Sequence, residues 1–248
     1  MDGYRDRRLP SLTFDIPSAM SGILPFGYYI VRHDAAVLTP GCPAGYVTVA
    51  GCLCKAHIPD SDCIPLCNTD FEPERLAEKW EISLQVAKDL YRFNEDQYMQ
   101  IDYATLSYRN WNDARWVRAN IFPQRDDILL ICLGAIDDAF WRYPGIQEVS
   151  PFPPDAQLLG FDVYEFGNPL ADGEELKELD FTRLYTMGLS CTLRCCDPEG
   201  EIPARLGISL NSDGFYPDAD AARKIADLVN RERLAEPCRY LPFAVYQC

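Results

Sequence analysis

Ile128-Leu129-Leu130-Ile131-Cys132-Leu133, set between Asp126-Asp127 and Gly134, is the longest apolar run in the chain. It is strand-sized and falls far short of the ~18 apolar residues that read as a membrane span. It is a candidate buried strand, although so short a run does not distinguish strand from helix by period alone. Other strand candidates flank it at a distance. Phe26-Gly27-Tyr28-Tyr29-Ile30-Val31-Arg32-His33 and Tyr46-Val47-Thr48-Val49-Ala50 precede it. Leu158 to Tyr164, Leu184 to Leu193, Leu206 to Leu210 and Phe243 to Tyr246 follow it. These stretches are rich in the β-branched and aromatic residues that suit a pleated, half-buried surface.

Two helices stand out by period. One begins near Pro73, with Thr69 or Asp70 as its cap. Leu76, Trp80, Leu84, Ala87 and Tyr91 share one face, and Ile82, Val86, Leu90 and Phe93 widen it into a largely buried helix. The other is capped by Asp218 and aligns Ala222, Ile225, Ala226 and Val229. Strands and helices mix without regular βαβ alternation. The expected class is therefore α+β, a mixed or antiparallel sheet with a few packed helices. Pro144, Pro151, Pro153 and Pro154 mark a connection. It divides a cysteine-rich part, 1–150, from an acidic part, 151–248; two subdomains or one continuous domain would both read this way.

The 248 residues carry 23 Lys+Arg against 38 Asp+Glu, a formal charge of −15. That balance excludes the usual nucleic-acid binder, which needs basic excess to neutralise phosphates, and an acidic membrane surface would repel it. No apolar stretch follows the polar start Met1 to Pro10, so no secretory signal is expected and the chain is assigned to the cytoplasm. Between Asp155 and Glu201 eleven acids face Lys177, Arg183 and Arg194, a local balance of −8. Such a cluster is either a solvated, self-repelling surface or a field that steers a basic partner. Phe161, Tyr164, Phe166, Phe181 and Tyr185 are interleaved with it, some as core and some as candidate aromatic anchors.

Catalytic signatures are missing. No GxSxG elbow, HExxH helix, Walker loop or GxGxxG turn occurs, and the acidic pairs Asp126-Asp127, Asp137-Asp138 and Glu174-Glu175 read as solvated charges. The chain has 11 cysteines, an odd number. Cys52-x-Cys54-x2-His57-x5-Cys63-x3-Cys67 offers sulfur and nitrogen donors for a tetrahedral zinc, but its spacing is irregular and repeats no CxxC pair. Free thiols are the default, with a zinc site or a disulfide-linked loop as alternatives. No metal, cofactor or catalytic residue is assigned. The rival reading is a cysteine- or zinc-dependent enzyme, or a zinc-binding protein, built on that segment; His33 ends a strand and reads as a packed or surface residue.

In the C-terminal part, Leu159-Gly160-Phe161-Asp162-Val163, Gly188-Leu189-Ser190, Leu210-Asn211-x2-Gly214-Phe215, Asn230-Arg231 and Glu236 to Tyr246 follow in order. This series resembles small bacterial immunity proteins, the cytoplasmic partners of the polymorphic or secreted toxins used in bacterial competition. The likeness spans about the last 90 residues in short motifs, and Pro237-Cys238-Arg239 stands where that family's ending carries a histidine. The resemblance implies a non-enzymatic inhibitor that binds a cognate toxin stoichiometrically, with no nucleic-acid, membrane or small-molecule partner. A nuclease toxin would offer a basic cleft that acidic side chains fill as phosphate surrogates. Asp172, Glu174, Glu175, Glu178 and Asp180, with Tyr164, are the expected toxin-binding residues.

Overall fold

A computed structural model describes residues 22–33, 46–47, 72–97, 101–102, 107–136, 148–166, 189–193, 197, 200–234 and 239–248. Its strands are β1 (Leu24–His33), β2 (Tyr46–Val47), β3 (Ile101–Asp102), β4 (Ser107–Tyr108), β5 (Ile128–Ala135), β6 (Gln157–Phe166), β7 (Leu189–Thr192) and β8 (Arg239–Gln247). Its helices are α1 (Pro73–Trp80), α2 (Leu84–Asp96), α3 (Trp111–Ile121), α4 (Glu201–Arg205) and α5 (Ala219–Glu232). The strands form one sheet in the order β3-β4-β1-β5-β8-β6-β7, with β2 also paired to β1. Every pairing is antiparallel, and the fold is α+β.

The apolar run Ile128–Leu133 lies near the middle of this sheet, in β5. β5 is hydrogen-bonded to β1 on one side and to β8 on the other. Side chains alternate across a strand, so pairing of Tyr28 with Cys132 and of Cys132 with Tyr246 puts these three on one face. Tyr29, Ile131, Leu133 and Val245 take the other. Both sets are buried, which explains why the run is apolar throughout instead of alternating. On the first face Phe152 packs on Tyr246, with ring centroids 4.6 Å apart. On the second, Phe243 meets Phe26 at 5.0 Å and Tyr164 at 5.6 Å, both edge-on.

β5 belongs to the first part of the chain and β8 to the second, and they are strand neighbours. One core cluster likewise draws on both parts.

The helices depart from the periodic reading in instructive ways. The stretch from Pro73 forms two helices. Glu81 takes a left-handed conformation (φ 53°) that ends α1, and the Ser83 side chain then accepts from Val86 N at 3.2 Å to start α2. Pro73 occupies the first turn, with Glu72 at the cap position and no side-chain cap bond from it; Thr69 and Asp70, the expected caps, lie outside the described residues. Leu76, Trp80, Ala87 and Leu90 are buried, but Leu84 is 40% exposed because the break rotates it off the shared face. Helix α3 has no counterpart in the sequence reading. Asn110 caps it by accepting from Asn112 N at 2.9 Å, and it buries only Ala114, Val117 and Ile121 against β1 and β5. Helix α5 forms as read: Asp218 accepts from Ala221 N at 2.7 Å, and Ala222, Ile225, Ala226 and Val229 are buried. It packs on β8 and β6. The expected strand at Leu206–Leu210 is a turn and irregular chain instead, opened by Gly207 at φ +65°, with Leu206 and Leu210 exposed.

Candidate functional site

The acidic stretch is hung from the end of a β-hairpin. β6 and β7 are antiparallel, and Phe166 pairs with Leu189 at their junction. The chain between these residues carries Asp172, Glu174, Glu175, Glu178 and Asp180 against Lys177 and Arg183. Those five acids lie outside the described residues; the two ends of their segment are fixed on adjacent strands, with β7 at one end of the strand order.

Several residues of the acidic region serve the fold. Asp162 is 2% exposed and its Oδ1 accepts from Val163 N at 2.8 Å. Asp197 accepts from the backbone N–H groups of Glu201 and Ile202, both at 2.9 Å, and so starts α4. Tyr164, expected as a toxin contact, is 2% exposed and packed edge-on against Phe243. At that burial it belongs to the core. Its alternation with Val163 and its position beside Glu165 gave no sign of which face would be covered. Among the described acids of this region, Asp155 and Glu201 are exposed.

Three of the motifs that carried the resemblance, the β6 opening, the Asn211–Phe215 turn and Asn230 with Tyr240, do structural work. Asn211 donates from Nδ2 to the Leu159 carbonyl at 2.7 Å, while its Oδ1 accepts from Asp213 N and Phe215 N. That ties the Asn211–Phe215 turn to β6. Phe161 and Tyr216 then exchange backbone bonds of 3.0 and 2.8 Å. Gly160 makes this docking possible. It sits at φ +150°, beside the β6 bulge, and a Cβ there would lie 2.5 Å from Phe215 Cβ and 2.9 Å from Asn211 Nδ2. Asn230 latches α5 to β8 in the manner of a strand, donating to the Tyr240 carbonyl at 2.7 Å and accepting from Tyr240 N at 2.8 Å.

The other sequence candidates divide in the same way. Asp127 is held by Arg125 through two bonds of 2.6 Å, so it serves the turn into β5. Asp137, Asp138, and the segment Cys52, Cys54, His57, Cys63 and Cys67 lie outside the described residues. His33 ends β1 opposite Tyr46. Among the described residues no cluster of three or more His, Cys, Asp or Glu could hold a metal ion. Cys132 and Cys248 are free thiols on the Tyr28 face of the β5–β8 pair. Burial raises both above the usual thiol range, Cys248 to about 12. Tyr28 donates to the carbonyls of Ser150 and Pro151 at 3.0 and 2.9 Å, whereas the buried Tyr246 hydroxyl has no hydrogen-bond partner among the described residues.

One outward feature was invisible in the sequence. Trp116 is 41% exposed and stacks on Phe93 at 4.2 Å and 10° between ring planes, bridging α3 and α2. Arg115, one residue earlier, lies over Trp111 at 5.5 Å. The helical period of α3 was the available signal, but its apolar face is narrow.

No helix among the described residues is long and apolar enough to cross a membrane. The fold therefore defines an α+β protein built on one antiparallel sheet, with an acidic insertion at a hairpin end. No family model, curated protein or solved structure matches the chain.

Proposed function

We propose that this chain is a cytoplasmic immunity protein that neutralises a bacterial toxin by binding it one to one. The observation that supports the reading most is the pairing of the two strand residues between which the acidic segment lies in the sequence. Five acids and two bases fall between Phe166 and Leu189, which are paired in adjacent strands. A charged segment tethered at both ends loses less freedom on binding than a free tail of the same length, because the sheet has already closed the loop. The like charges repel one another in the free protein, and a basic partner relieves that repulsion.

Asp172, Glu174, Glu175, Glu178 and Asp180 are the contact residues in this reading; Tyr164 is withdrawn from the set because it is core. The chemistry selects a toxin with a basic surface, such as a nuclease whose phosphate-binding groups accept carboxylates instead. Steering by such a field raises association rates by roughly 10–10³ and fades with salt. The test is co-elution of the chain with its cognate toxin on a sizing column, and protection of cells expressing that toxin. Co-elution at one to one with full protection supports the proposal. A toxin that passes through unbound and kills regardless of the chain overturns it.

A further inference from the structure

We draw no further inference here: the strongest candidate, the cluster of buried Cys132 and Tyr246 with half-buried Cys248 on one face of the central β5–β8 pair, holds two thiols that burial keeps protonated and no third ligating group among the described residues, so nothing in the structure shows what it would bind.

Discussion

Replacing Gly160 with alanine tests how the C-terminal motifs hold together. Two costs follow from the geometry. The residue sits at φ +150°, where an L side chain is strained, a penalty of about 1–3 kcal/mol. The new methyl would also sit 2.5 Å from Phe215 Cβ and 3.1 Å from the Tyr216 carbonyl oxygen, and the second neighbour is backbone that cannot swing away. Relieving such overpacking costs about 1–3 kcal/mol more. The sum is about 2–6 kcal/mol, a large share of the roughly 5–15 kcal/mol that stabilises a typical protein. For a chain of this size, ~3 kcal/mol lowers Tm by roughly 6–12 °C. Gly200→Ala is the matched control. Gly200 also has positive φ (+69°), but nothing lies within 4 Å of its Cβ position, so it carries the strain without the crowding. Thermal unfolding followed by circular dichroism should show Gly160→Ala destabilised well beyond Gly200→Ala. Equal shifts would refute the claim that the Asn211–Phe215 turn docks tightly on β6.

Other substitutions and conditions probe separate parts of the account. Asn230→Ala removes both side-chain bonds to the backbone of the buried Tyr240; a loss of about 2–4 kcal/mol in urea unfolding is expected, and a loss under ~0.5 kcal/mol would mean α5 is not latched to β8 this way. Asp218→Ala deletes the α5 cap and should cost about 1 kcal/mol, whereas Asp218→Asn should recover most of it; equal losses in the two variants would remove the cap from the account. Cys248, raised by burial to about 12, stays neutral in the folded chain while the unfolded chain ionises near 9, so its contribution is whole below pH 9 and is lost as pH climbs towards 12. Stability should accordingly fall with pH in that window, more steeply in the wild type than in Cys248→Ser, and parallel curves would contradict the burial of this thiol. At pH 8 iodoacetamide should leave the buried Cys132 unlabelled until denaturant is added, as peptide mass mapping would read; rapid labelling of the native chain at this residue would place it at the surface.

The central sheet was readable because its chemistry is local. Ile128–Leu133 is apolar at every position since β5 has strands on both edges and side chains packed on both faces, and Asp218 announces α5 with a cap that needs no tertiary context. The elements that escaped notice depend on partners distant in sequence. Helix α3 interleaves Asp113, Arg115 and Arg118 with only three buried residues, so its apolar stripe is too thin to stand out. Arg118 reads as a surface charge, yet it donates to the carbonyls of Ile128, Phe122 and Arg125 and braces the turn leading into β5. The single helix expected from Pro73 failed at Glu81-Ile82-Ser83, where Ser83 competes as a cap with continuation of the helix. In the acidic region, counting charges treated Asp162 and Asp197 like their neighbours, although both carboxylates accept backbone hydrogen bonds. Tyr164 was misplaced for the same reason: an aromatic among acids looks like an anchor until the sheet shows Phe243 beside it.

The most direct test of the binding claim is calorimetric titration of the cognate toxin with the wild-type chain and with a variant carrying Asp172→Asn, Glu174→Gln, Glu175→Gln, Glu178→Gln and Asp180→Asn. The account predicts a tight one-to-one complex for the wild type, weakened at least 100-fold in a variant that keeps the wild-type melting temperature. An affinity unchanged by removing all five charges would contradict it.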